Sequence, residues 1–240
     1  MTRISICAAS PAPQLAYRRI VWGSDETFIA SHHPQNYGKT ELMSGWGWTE
    51  CEHAWSWSGY EGEPVTVEVY SAAEEVELIL NGKSLGRQPA GKVNRFKARF
   101  VLTYMPGILE AVSYTQGSKG SSDVLHSTGE PAGIRIVPET EELASDGQSL
   151  CYAVVEIIDA AGNCVPEASL VATTRVEGAA TLAAFGTGRP QTTENYTTGH
   201  FTSFKGRLLA VVRAGYEPGI STLTVSADGL EPVSLDIPVK

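Results

Sequence analysis

Residues 65–86, VTVEVYSAAEEVELILNGKSLG, leave this chain few folding options. Val65, Val67 and Val69 alternate with Thr66, Glu68 and Tyr70, and Val76, Leu78 and Leu80 alternate with Glu75 and Glu77. A period of two predicts two strands, each with one buried and one wet face. Asn81-Gly82 supplies the two positive-φ positions of a type I′ hairpin, so the chain is expected to reverse there and return through residues 83–87. The physics points to an antiparallel β domain.

A second pattern extends that reading to the whole chain. Tyr104-Met105-Pro106-Gly107 precedes expected strands at 108–114 and near 123–127, and Tyr216-Glu217-Pro218-Gly219 precedes expected strands at 220–227 and 232–239. Phe96-Lys97-Ala98-Arg99 and Phe204-Lys205-Gly206-Arg207 form a matching pair upstream. The spacing of the two motifs is close to the roughly 100 residues of one immunoglobulin-like sandwich. Pro followed by Gly at each turn favours type II geometry. With 240 residues, two domains are the simplest organisation.

The fold class expected is all-β, with two tandem immunoglobulin-like antiparallel β-sandwiches preceded by a loop-rich, Trp-rich segment. The expected divisions are a lead-in at 1–64, the core of the first sandwich at 65–131, which lead-in strands can join, and the second sandwich at 132–240. Strands of the second are expected at 133–137, 150–158, 169–176, 181–185, 207–213, 220–227 and 232–239. The glycine-rich loop at 186–189 reads as a hairpin. No segment shows a sustained helical period. Phe96, Ala98, Phe100, Leu102 and Tyr104 form a core stripe, with Lys97 and Arg99 on a solvated face.

The net charge of −9 argues against a nucleic-acid partner, whose phosphates select a basic surface. No apolar run reaches the ~18–20 residues that cross a bilayer, so no membrane partner is expected. The opening MTRISICAASPAP has too short an apolar core for a signal peptide and reads as the start of an expressed fragment. Localisation stays open. Cys7, Cys51, Cys151 and Cys164 show no zinc-type spacing, and reduced thiols are expected, although Cys151 and Cys164 flank one turn and could lie close. His32-His33-Pro34 lacks further ligands at metal spacing. No metal site and no cofactor are expected.

Signatures of other catalytic classes, HExxH and the phosphate-cradling GxxxxGK[ST], do not occur, and there is no GxSxG nucleophile elbow, since the GKSLG of 82–86 belongs to the expected Asn-Gly hairpin. Glu50 and Glu52 are the acids with an aromatic setting, and a structural role in a loop is the expectation for both. All five tryptophans lie in the lead-in. Trp46, Trp48, Trp55 and Trp57 are the candidates for sugar contact, because flat indole faces stack on the apolar faces of sugar rings. Packing at a domain junction is the competing reading.

The wording of these strands resembles that of a known family. Tyr70-Ser71, Val76-Glu77-Leu78 and the NGKSLG of 81–86 are similar to the C-terminal sandwich of glycoside hydrolase family 2 β-galactosidases. So are YMPGILEAV at 104–112, TGEPAGI at 128–134, LASDG at 143–147, VVEIID at 154–159 with Gly162-Asn163, and Tyr17-Arg18-Arg19 with Val21-Trp22. The resemblance implies a non-catalytic C-terminal accessory portion of a β-galactosidase-like enzyme. It would buttress a catalytic barrel of the parent chain and lend tryptophans to one side of a galactoside or polysaccharide cleft. In that family a pair of glutamates carries out retaining hydrolysis. No position here matches either glutamate motif, so no catalytic residue is assigned and this stretch by itself is expected to be inactive. An independent carbohydrate-binding module and a structural stalk of tandem immunoglobulin-like domains remain as alternatives. Exposed tryptophans in the lead-in would make self-association plausible.

Overall fold

The computed structural model describes residues 12–42 and 47–240 and is built almost entirely of antiparallel strands. The chain divides into two compact units at Ser127/Thr128.

The first unit opens with a helix, α1 (Pro13–Val21), and then β1 (Thr27–Ser31), β2 (Pro64–Ser71), β3 (Glu75–Leu80), β4 (Lys83–Pro89), β5 (Lys97–Thr103), β6 (Ile108–Thr115) and β7 (Ser118–His126). Two sheets form, in the orders β1-β2-β5 and β4-β3-β6-β7. The alternating apolar residues meet between them. Val65, Val67, Val69, Ala98 and Phe100 come from one sheet, and Val76, Leu78, Leu80, Leu109, Ala111 and Leu125 from the other. Each fully buried aliphatic side chain is worth about 1.5–3 kcal/mol of transfer free energy.

Asn81 and Gly82 take φ values of 51° and 76°, as the type I′ turn requires. The Asn81 side chain also accepts from the Ile108 N–H at 2.8 Å and donates to the Pro106 carbonyl at 3.1 Å. It packs so closely on Gly107, at φ 137°, that a Cβ there would stand 1.8 Å from Asn81 Oδ1. The Asn-Gly and Pro-Gly turns are therefore one clamped unit.

Three expectations need correction in this unit. Residues 13–21 are helical, started by Pro13 at the first helical position. The 3.6-residue pattern is only two turns long (Pro13, Ala16 and Ile20 face inward), too short to register as a period. The second correction follows from the first. The outer face of β2 is not uniformly wet: Tyr70 is fully buried and Thr66 nearly so. Helix α1 and the lead-in cover part of that face with a second small core of Ala16, Ile20, Phe28, Ala30, Cys51 and Tyr70. Phe96 packs against this second core, and Lys97 is ion-paired to Glu68 at 3.2 Å rather than solvated.

The second unit contains β8 (Gly133–Pro138), β9 (Leu150–Ile158), β10 (Val171–Gly178), β11 (Ala180–Gly186), β12 (His200–Thr202), β13 (Arg207–Ala214), β14 (Gly219–Ala227) and β15 (Leu230–Val239). The sheets run β11-β13-β9-β8 and β12-β10-β14-β15. They enclose Cys151, Ala153, Val155, Ile157, Phe185, Phe201, Leu208, Ala210, Val212, Leu223, Val225, Ile237 and Val239. Strand β12, unforeseen because three residues carry no period, pairs with β10 and plugs the core with Phe201.

The loop after Gly186 is not a hairpin. It carries the chain from one sheet to the other, and Tyr196 folds back against Gly186, where a Cβ would lie 2.2 Å from its ring. The two Tyr-x-Pro-Gly motifs also differ in backbone: Gly107 has positive φ and Gly219 does not, so matching letters do not give matching turns. Cys51, Cys151 and Cys164 are free thiols.

Candidate functional site

The lead-in does more than precede the first sandwich. Strand β1 adds to the edge of β2, with Ala30 opposite Glu68 and Ser31 opposite Val67, and the His32 N–H continues the ladder to the Thr66 carbonyl at 2.9 Å. On the other edge β5 places Arg99 opposite Glu68 and Val101 opposite Thr66. Thr66, Glu68, Arg99 and Val101 thus share the outer face of the three-stranded sheet. Helix α1 covers the neighbouring part of that face. These four residues instead line a cleft of about 710 Å³, together with His32, His33, residues 36–41, Thr49 and Glu50.

The inner end of the cleft is held by a dense polar and aromatic network. Glu68 accepts from the Tyr70 hydroxyl at 3.1 Å and from the Lys97 ammonium at 3.2 Å through the same oxygen, Oε2. That ammonium lies among three aromatic rings, 5.2 Å from Tyr17, 5.0 Å from Trp48 and 5.1 Å from Tyr70, within cation–π range. Burial raises the Tyr70 phenol well above its ordinary range, and the adjoining Cys51 and Glu68 push the same way. The other Glu68 oxygen, Oε1, is 3.9 Å from His32 Nε2, too far for a direct hydrogen bond. Burial lowers the His32 pKa; the Glu68 carboxylate opposes this and the Arg99 guanidinium adds to it. The net downward shift favours the neutral imidazole, whose two ring nitrogens can donate and accept.

The four tryptophans singled out from the sequence separate. Trp55 is fully buried, donating its indole N–H to the Met105 carbonyl at 3.1 Å, with its ring edge-on to Tyr104. Trp57 is 3% exposed and packs on His33, ring centroids 4.6 Å apart. Neither has a face to offer a sugar. Both are core residues, joined to the sandwich because their segment runs into β2. Trp48 is half-buried against Tyr17, ring centroids 5.1 Å apart. Trp46 lies outside the described residues.

Glu50 stands on the cleft rim, its N–H donating to Glu41 Oε1 at 2.7 Å. Glu52 bridges to Ser31 through its backbone. His33 caps a short 3₁₀ turn at Pro34–Asn36 by accepting from the Gln35 N–H. Sequence reasoning missed Glu68 and Arg99 as cleft residues. Their pairing across β2 and β5 was implied by the two strand patterns, but the half-covered outer face was not.

Comparison with known proteins agrees with this architecture. Residues 134–236 match the model of glycoside hydrolase family 2 C-terminal domain 5, and residues 62–120 match a domain of unknown function, DUF4982. The chain is 29% identical over 196 residues to the β-galactosidase BoGH2A of Bacteroides ovatus, covering 82% of this chain and 22% of that protein. It is 28% identical over 190 residues to a putative β-glucuronidase of Formosa agariphila, covering 75% of this chain and 18% of that one. A solved glycosyl hydrolase family 2 member from Bacteroides cellulosilyticus superposes with a TM-score of 0.88 at 31% identity, over 95% of this chain and 30% of the other. The chain thus spans less than a third of each relative's length. Residues 134–236 match a C-terminal domain of glycoside hydrolase family 2, and the sequence relatives and the solved fold agree with it in supporting a C-terminal region of that family's architecture for the chain.

Proposed function

We propose that this chain is the non-catalytic accessory portion of a β-galactosidase-like glycosidase and braces the catalytic barrel of its parent polypeptide. The observation that carries the reading is the match of residues 134–236 to a C-terminal domain of the family, in a chain that covers 22% of a β-galactosidase and 30% of a solved family member. Two self-contained sandwich cores support it, because rigid β scaffolding of this kind offers a stiff surface to a neighbouring domain. The proposed division remains a lead-in at 1–64 with sandwiches at 65–131 and 132–240. Of the four tryptophans, Trp48 and Trp46 are the ones retained as contributors to a sugar-facing wall.

The test compares the full-length polypeptide that carries this chain with a version lacking it. Bracing predicts a lower barrel melting temperature and reduced turnover of a chromogenic β-galactoside in the truncated protein. Unchanged melting and unchanged kcat/KM would contradict it.

A further inference from the structure

The cleft over the outer face of β2 and β5 has a chemistry the bracing role does not use. We infer that it is a saccharide-binding site, in which His32, Glu68 and Arg99 bind hydroxyl groups of a neutral oligosaccharide and Tyr37 supplies a platform for a sugar face. The inference goes beyond bracing and stands or falls separately from it.

Three observations support it. First, polar groups face the cleft without protein partners. His32 Nε2 is buried and has no hydrogen-bond partner. Glu68 Oε1 lies 3.9 Å away, and a small rotation of the imidazole that uncovers Nε2 to the cleft lets one hydroxyl bridge the pair, donating to the carboxylate. Arg99, opposite Glu68 in the ladder, makes no hydrogen bond or ion pair to any described residue, which leaves its planar fork of donors free for adjacent hydroxyls. Burying a polar atom without a partner is costly, so a ligand that satisfies it gains specificity as well as affinity.

Second, the floor is rigid. Glu68 is held through its other oxygen by Tyr70 and Lys97, and the ammonium of Lys97 is fixed among three rings. A carboxylate already oriented by its own neighbours loses little freedom on binding.

Third, the charges select the ligand class. Lys39 and Arg99 face Glu41, Glu50 and Glu68 around the same cleft. The three carboxylates disfavour a phosphate or other polyanion, and the two cations disfavour a metal ion or polyamine. A neutral, hydroxyl-rich molecule suffers neither repulsion. The volume, about 710 Å³, is within the range of small-ligand sites. Tyr37, 45% exposed, brings the aromatic surface that sugar C–H faces require.

The experiment is a titration of the whole 240-residue chain with lactose and with cellotriose, followed by protein-observed NMR with isotope-labelled tyrosine and histidine. The expected result is saturable binding of at least one of the two with a millimolar or tighter Kd, and with shifts at His32 and Tyr37. Arg99→Lys keeps the charge but loses the fork, and Tyr37→Ala removes the platform; each should weaken binding about tenfold or more. Both positions are exposed or on the cleft wall, so circular dichroism should show an unchanged fold. Trp22→Ala, at the exposed end of α1, should leave affinity unchanged. Absence of saturation with both sugars at tens of millimolar would overturn the inference. So would binding that Arg99→Lys and Tyr37→Ala leave intact, or displacement of bound sugar by inorganic phosphate. None of these outcomes bears on barrel stability, which the truncation experiment reads independently.

Discussion

Trp55 stands edge-on to Tyr104, ring centroids 5.0 Å apart with planes at 72°, although 49 positions separate them in sequence (104 − 55). The contact ties the tryptophan-rich lead-in to the Tyr-x-Pro-Gly turn of the first sandwich. The Tyr104 hydroxyl accepts from the Trp57 N–H at 3.0 Å, and the Ser127 hydroxyl donates to the Trp55 carbonyl. The lead-in is thereby part of the sandwich's core.

Replacing Trp55 with alanine should therefore cost about 3–5 kcal/mol of unfolding free energy in the first unit, the range for deleting a large buried aromatic. Tyr104→Phe keeps the packing and loses one buried hydrogen bond, for about 1 kcal/mol. Trp48→Ala, at a half-buried ring, should cost less than Trp55→Ala. Urea unfolding followed by fluorescence checks the order; equal effects of Trp48→Ala and Trp55→Ala would contradict it.

The clamp between the two turns makes a second prediction. Gly107→Ala should destabilise strongly, because its Cβ meets Asn81 Oδ1 and its φ of 137° is poorly accessible to alanine. Asn81→Gly keeps the positive φ and loses the bonds to Ile108 and Pro106, for about 1–2 kcal/mol. Hydrogen exchange at Ile108 should quicken in Asn81→Gly.

Asp123 on β7 accepts from the Ile29 N–H of β1 at 2.7 Å and from His53 Nε2 at 2.8 Å through one oxygen, Oδ2. Asp123→Ala leaves a partly buried N–H without its acceptor and should cost about 2–3 kcal/mol. Asp123→Asn, able to accept at one position, should cost less. Thermal melting of the two variants measures the difference.

In the second unit Glu156 accepts from Arg135 through Nε at 2.8 Å and Nη2 at 2.6 Å, and from Arg207 Nε at 3.0 Å. Burial pushes this carboxyl upward, but the Arg135 bonds and the Arg207 charge outweigh it and hold the carboxyl below its ordinary range. The folded pKa is depressed, so the stability it contributes is complete above the unfolded value of about 4.3 and is lost as pH falls through the folded value. Glu156→Gln should cost about 2 kcal/mol at pH 7 and flatten the acid limb of the stability curve. A variant whose acid limb matches wild type would show that Glu156 does not carry it.

The strands were legible because buried residues recur at every second position, as in Val65, Val67 and Val69 and again in Cys151, Ala153 and Val155. The Asn-Gly turn was legible because positive φ restricts the residues allowed. Strand β12 was not, since three residues have no period, and its burial rests on one phenylalanine. Helix α1 was hidden for the same reason. The cleft was only half readable. Glu68 and Arg99 both announced an outer face, but whether that face was open, covered or lined depended on α1 and residues 32–41 and 48–50, which carry no strand or helix signal of comparable strength. Trp55 and Trp57 were visible as aromatic density; their burial reflects the strand that follows, not their own composition.

The central claim is that these 240 residues are scaffolding whose chemistry belongs to another part of the parent polypeptide. The most direct measurement is the release of nitrophenol from a nitrophenyl β-galactoside and a nitrophenyl β-glucuronide by the isolated chain, beside the longer parent polypeptide. The account predicts no turnover above background from the chain and turnover of at least one substrate by the parent. Hydrolysis by the isolated chain that persists through purification and is abolished by Glu68→Gln would contradict it.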